Sequence, residues 1–304
     1  MAREQYEDQV RLLVRLLPLL AEEPDFALKG GTAINLFHRD LPRLSVDIDL
    51  TYLPVKPRDE SLDEIRVAMD RLVDGAVRIQ GVQARAIAGG GGGATRILAR
   101  AGAATVKIET SPVMRGVVFD PKVMRVSPSV EEAFGFVEAR IVSFEDLFGG
   151  KLHAALDRQH PRDLYDVRLL YENEGLTDPL FAAFLVYLAC SGRPPHELLD
   201  PSLPDIEPIY QNEFVGMTHE PVAMETLMET RERLIDDIRQ RLTGKTAAYL
   251  RSLHEGNADF GLIGLPDAAD LPAVRWKLHN IERLKANDPD KHREHGDRLA
   301  ALLQ

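Results

Sequence analysis

The chain has 304 residues, 44% hydrophobic and 28% charged, with a net charge of −11 and one cysteine, Cys190. That size and balance suit a globular protein of one large or two smaller domains, and a lone cysteine excludes an internal disulfide framework. The acidic surplus argues against a surface that coats nucleic acid, no apolar run reaches the ~20 residues of a membrane span, and residues 1–8 are too charged to open a signal peptide, so a cytoplasmic protein without a membrane partner is expected.

Residues 4–22 carry Val10, Leu13, Leu17 and Leu20 at helical spacing. A short strand over 26–28 leads into Lys29-Gly30-Gly31-Thr32-Ala33-Ile34-Asn35-Leu36, which reads as a glycine turn and a short helix over 31–38. Then comes Arg43-Leu44-Ser45-Val46-Asp47-Ile48-Asp49-Leu50, a strand running to residue 52 and closed off by Pro54 and Pro57. Alternation places Ser45, Asp47 and Asp49 on one side of it and Val46, Ile48 and Leu50 on the other.

An amphipathic helix is expected over 62–72, then β-like runs over 82–88 and 95–100. The five glycines at 89–93 between these runs read as a mobile hairpin tip. A phosphate loop is the weaker alternative, because no lysine or hydroxyl follows at the required spacing. A strand over 105–110 carries Glu109. Residues 137–142 lead to a helix capped by Ser143, with Asp146 three positions later. Gln159-His160-Pro161 ends it near Arg158, and Pro161 opens the next helix, with Asp163 and Asp166 on one face. Asn173-Glu174-Gly175 supplies its stop.

The remainder reads as mostly helical: an apolar run over 180–188 with Cys190 as core beside it, a charge-rich amphipathic helix over 224–242, and another over 271–284. A stretch rich in proline and acid at 200–208 interrupts it. Gly244-Lys245-Thr246 resembles the end of a P-loop, but Arg239 stands where the leading glycine belongs and a helix precedes it where a strand is needed. Lys291-His292-Arg293-Glu294-His295 reads as a solvated tail and not as a metal cluster.

Aspartates spaced i, i+2 on a strand bring two carboxylates close enough to share a divalent cation. Without one, like charges oppose each other and one carboxyl tends to stay protonated. Magnesium takes carboxylate and phosphate oxygens, and a Gly-Gly-Thr turn at a helix start lets backbone N–H groups approach an anion. Together they point to phosphoryl or nucleotidyl transfer.

These segments resemble the first motif of the AbiEii/MenT-type nucleotidyltransferase toxins, within the polymerase-beta-like nucleotidyltransferase superfamily. Val106-Lys107-Ile108-Glu109 is similar to the second motif, with glutamate where aspartate is frequent. The third is matched by Phe144-Glu145-Asp146-Leu147-Phe148-Gly149-Gly150-Lys151-Leu152-His153-Ala154-Ala155, continuing through Arg158 and Arg162-Asp163-Leu164-Tyr165-Asp166-Val167. The resemblance implies an α+β fold: a small mixed sheet flanked by helices over 1–142, and a mostly helical half over 143–304 that contributes Lys151 and Asp166 to the site.

It further implies magnesium, or manganese in its place, on Asp47, Asp49 and Glu109. Gly30, Gly31, Thr32 and Ser45 would hold the nucleotide, Lys151 would neutralise phosphate charge, and Asp166 would orient Lys151 or contact the nucleotide, with Asp163 a weaker candidate. A structural Lys151–Asp166 ion pair is the plainer alternative. The implied activity is transfer of a nucleoside monophosphate from a nucleoside triphosphate to an acceptor hydroxyl, foremost the tRNA 3′ end, by a toxin whose antitoxin is encoded alongside in a toxin–antitoxin or phage-defence pair. Basic residues flank the motifs: Lys29, Arg39 and Arg43 at the first, and Arg158, Arg162 and Arg168 beside the third. A small-molecule or protein-side-chain acceptor, and a non-catalytic nucleotide binder, are the alternatives.

Overall fold

The computed structural model describes residues 2–89 and 93–303, so the tip of the glycine-rich hairpin lies outside the described residues. The chain forms two compact units. One comprises the residues up to Ser143 together with Val215–Pro221; the other comprises Phe144–Phe214 and Val222–Gln304.

The first unit is built on a seven-stranded mixed sheet. Helix α1 (Ala2–Leu16) buries Val10, Leu13 and Leu16, and a 3₁₀ turn over Leu17–Glu22 leads to β1 (Phe26–Lys29). The glycine turn opens α2 (Gly30–Ala33), which widens into a π-helix over Ile34–His38. Strand β2 (Asp47–Tyr52) starts two residues later than the alternation suggested. Helix α3 (Arg58–Arg78) outruns its apolar stretch at both ends, with Asp59 and Glu60 in its first turn and Arg78 in its last, each charge complementing the helix dipole.

The hairpin β3 (Gln83–Gly89) and β4 (Gly93–Ala101) is followed by β5 (Ala104–Thr110), β6 (Lys122–Arg125), α4 (Pro128–Phe134) and β7 (Glu138–Ile141). The sheet order is β3-β4-β5-β2-β1-β7-β6. Strand β2 is therefore internal, antiparallel to β1 and parallel to β5. Ile48 and Leu50 are fully buried with Ile108 and Val106 of β5. Burying that face of β2 turns the aspartate face toward the glycine turn.

The second unit is helical: α5 (Phe144–Asp157), α6 (Pro161–Asn173), α7 (Asp178–Ala189), α8 (Pro195–Leu199), α9 (Glu207–Glu213), α10 (Met224–Gln240), α11 (Gly244–His254), α12 (Pro272–Asn287) and α13 (Pro289–Leu302). Gly149 explains how tightly α5 lies on α7. A Cβ there would stand 3.0 Å from the Phe184 backbone nitrogen and 3.1 Å from Ala183. The break between α5 and α6 falls at Gln159, which takes a left-handed φ of 51°. His160 then caps α6, its Nδ1 accepting from the Arg162 N–H at 3.1 Å.

Residues 291–295, expected as a solvated tail, lie within a regular helix, α13. Asp288 caps it through the Lys291 N–H at 3.0 Å, and Pro289 occupies its first turn. Within it His292 stacks on His254, ring centroids 4.1 Å apart, while His295 faces His196 at 5.0 Å. Among the described residues no helix is long and apolar enough to cross a membrane.

Candidate active site

The glycine turn is fitted to the acidic strand. Gly30 has a φ of +75°, a region that favours glycine, and a Cβ on it would stand 2.5 Å from Asp49 Oδ2. A Cβ on Gly31 would meet the Arg43 guanidinium at 2.7 Å and Ser45 Oγ at 2.9 Å. Thr32 Oγ1 donates to the Asp47 carbonyl at 2.5 Å and lies 3.0 Å from Ser45 Oγ. Thr32 and Ser45 are both buried. Gly30, Gly31, Thr32, Ser45, Asp47 and Asp49 thus form one contiguous cluster, with Thr32 acting as the pin between helix and strand.

The third acid arrives through sheet register. Asp49 pairs with Glu109 across the parallel β2–β5 ladder, and with Lys29 across the antiparallel β1–β2 ladder. Burial raises the pKa of Asp49; Lys29 pulls it down, and Glu109 and Asp47 push it up again. Glu109 itself is clasped by Arg96 Nε at 3.1 Å and Lys107 Nζ at 3.3 Å. Arg96 escaped the sequence reading, because only the β4–β5 register, Arg96 opposite Glu109, makes them neighbours.

These residues fit a divalent cation in part. Asp47 and Asp49 offer the hard oxygen ligands magnesium takes, and burial, aided by Glu109 and Asp47, raises the Asp49 carboxyl in spite of Lys29 and Lys107. Among the described residues, no three His, Cys, Asp or Glu side chains are arranged as a metal cage. A cation here would be held by the two aspartates and completed by phosphate oxygens and water, which is how magnesium commonly binds beside nucleotides.

The helical unit contains a second ionic cluster. Lys151 Nζ stands 2.8 Å from Asp163 Oδ1 and 2.9 Å from Asp166 Oδ2, and all three side chains are buried. Arg158, mostly exposed, reaches Asp163 through Nε at 2.5 Å and Nη2 at 3.0 Å. Burial alone would raise the pKa of Asp163. The Lys151 charge and the Arg158 hydrogen bonds outweigh it and hold that carboxyl far below the usual range. Two cations and two carboxylates balance, as buried charges require. Asp163, the weaker candidate because it stands at a helix start, is bound by both Lys151 and Arg158.

Set beside known proteins, residues 11–280 match the family described as "Nucleotidyl transferase AbiEii toxin, Type IV TA system". Among solved structures, the fold is similar to that of MenT4, a nucleotidyltransferase toxin of Mycobacterium tuberculosis H37Rv. The TM-score is 0.55 at 17% sequence identity, over 97% of this chain and 93% of that one. Curated proteins gave no sequence match. A family match over most of the chain, a glycine turn seated on paired aspartates and a sheet built to hold them there lead to one conclusion: the chain belongs to the AbiEii nucleotidyltransferase toxins of type IV toxin–antitoxin systems.

Proposed function

We propose that this nucleotidyltransferase moves a nucleoside monophosphate from a nucleoside triphosphate to a hydroxyl at the tRNA 3′ end, and so blocks translation as the toxin of a pair whose antitoxin is encoded alongside. The observation that carries the reading is the seating of Gly30 against Asp49, which sets a turn suited to phosphate beside two carboxylates of one strand face. In the reaction the acceptor oxygen forms a bond to the α-phosphorus, and the bond from that phosphorus to the α–β bridging oxygen breaks. Pyrophosphate leaves with the electron pair, and the hydroxyl proton passes to a carboxylate.

Asp47 and Asp49 would hold magnesium, or manganese in its place, with Glu109 as third acid. The ion would offset the charge of the triphosphate and of the leaving pyrophosphate. Gly30 and Gly31 would give backbone N–H groups to phosphate oxygens, while Thr32 and Ser45 keep the turn registered on the strand. Lys151 would neutralise phosphate charge and Asp166 would orient it. The tRNA acceptor rests on the family resemblance, supported by basic residues around the motifs.

The test is incubation of the protein with magnesium, total tRNA and each labelled triphosphate in turn, read on a denaturing gel. Label on tRNA with one or more nucleotides, absent in Asp47→Ala, is the expected result. Labelling that survives Asp47→Ala overturns the mechanism. Pyrophosphate release without RNA label overturns the tRNA acceptor alone.

A further inference from the structure

The helical unit contains a cleft of about 540 Å³ that the proposed transfer does not use, within the usual range for small-ligand sites. It lies against α7 and the turn that joins α10 to α11, the place of the Gly244-Lys245-Thr246 stretch. Its walls differ in kind. Phe181, Leu262 and Ile263 form an apolar side, and Arg241, Lys245 and Thr246 a polar one, where the Asp178 carboxylate pairs with Arg241 and leaves Lys245 as the unmatched charge.

Arg241 is the informative residue. Its Nη1 donates to Asp178 Oδ1 at 3.0 Å and its Nη2 to the Leu176 carbonyl at 2.6 Å. Its guanidinium carbon stands 5.3 Å from the centre of the Phe181 ring. A guanidinium tied at two nitrogens and backed by an aromatic ring is held as a fixed plane, yet 34% of this side chain is still exposed. Planar guanidinium groups stack on nucleobases. Lys245 is exposed in the same lining and has no ion-pair partner among the described residues, so its ammonium is available to an anion. A planar guanidinium platform, an exposed ammonium and a hydroxyl, set against an apolar wall, match a nucleobase joined to a phosphate.

We infer that this cleft binds a nucleotide unit, the base on Arg241 and the phosphate on Lys245. The site belongs wholly to the helical unit and needs no metal, so it stands or falls separately from the acidic strand. A free mononucleotide and an unpaired nucleotide of an RNA end present the same chemistry.

The experiment is isothermal titration of the full-length protein in EDTA with each nucleoside 5′-monophosphate, and separately with a short single-stranded RNA. Binding with a Kd below about 1 mM is expected, weakened about tenfold or more by Lys245→Glu, retained by Lys245→Arg and unchanged in Asp47→Ala. Lys245 is exposed, so both of its variants should fold. Mononucleotide binding identifies a free nucleotide as the occupant, and binding of the RNA alone identifies an RNA end. Absence of binding by either probe overturns the proposal. So does binding that Lys245→Glu leaves within about twofold, or that Asp47→Ala removes.

Discussion

The two ionic clusters of this protein solve opposite problems. On the sheet, Asp49 sits between Lys29, Asp47 and Glu109, partly buried, with its carboxyl pushed toward protonation. In the helical unit, Lys151 is matched atom for atom by Asp163 and Asp166, and Arg158 balances the extra carboxylate. The first arrangement leaves Asp49 a carboxyl that burial and its acidic neighbours disfavour as an anion, a cost that a bound cation would relieve. The second ties α5 to α6 through buried ion pairs centred on Lys151. A carboxyl buried beside other acids marks a candidate binding place, whereas a buried pair of matched charges marks a structural tie first.

The sharpest way to break this contrast is Asp47→Ala, which should lower nucleotidyl transfer by on the order of 10²–10⁴-fold while leaving the melting temperature within a few degrees. A large loss of stability would show that the acidic strand is structural after all. Asp163→Ala should do the reverse. Removing one partner of a buried ion cluster costs about 3–5 kcal/mol, read as a shift in the urea midpoint of the full chain. Because the folded-state pKa of Asp163 is depressed, its contribution is fully present above about pH 4 and is lost as pH falls further. The wild type and the variant should therefore converge under acid.

Gly30→Ala should cost about 1–3 kcal/mol and transfer activity together, since the new Cβ meets Asp49 Oδ2 in a left-handed backbone. The smallest effect is the most telling. Asp49→Asn in EDTA should raise the melting temperature by roughly 2–4 °C at pH 7, because the raised folded-state pKa means the ionised wild-type group destabilises at neutral pH. That penalty fades as pH falls through the folded value, so the gain should disappear under acid. Added magnesium should stabilise wild type but not this variant.

Much of the site was legible because strand periodicity is rigid. Ile48 and Leu50 had to go inward, which committed Asp47 and Asp49 to the other side, and both pairs lie where alternation put them. The helix after the glycine turn was legible but its π-form was not, since i→i+5 bonding leaves no mark in apolar spacing. Strand β6 escaped notice because Lys122–Arg125 is mostly exposed and shows no apolar alternation. Helix α13 was read as tail because Leu299 is the one buried residue among fourteen. Its start signal, Asp288-Pro289, stands in the sequence all the same. The partners Arg96–Glu109 and Lys151–Asp163 lie 13 and 12 residues apart, beyond any local rule, and they emerge only when strand register and the α5–α6 turn are known.

The short segment Val215–Pro221, emerging from among helices, lays its backbone beside the start of the acidic strand: Leu44 donates to the Met217 carbonyl at 2.8 Å, and Arg43 bridges Thr218. The chain therefore passes between its two units three times, at 143, 214 and 221. A piece ending at Ser143 lacks the backbone that braces Arg43 and Leu44, and a piece that runs on to Pro221 keeps that brace only by carrying Phe144–Phe214 of the other unit with it. The acidic unit therefore cannot be cut out as one continuous stretch of gene without taking helices of its neighbour along.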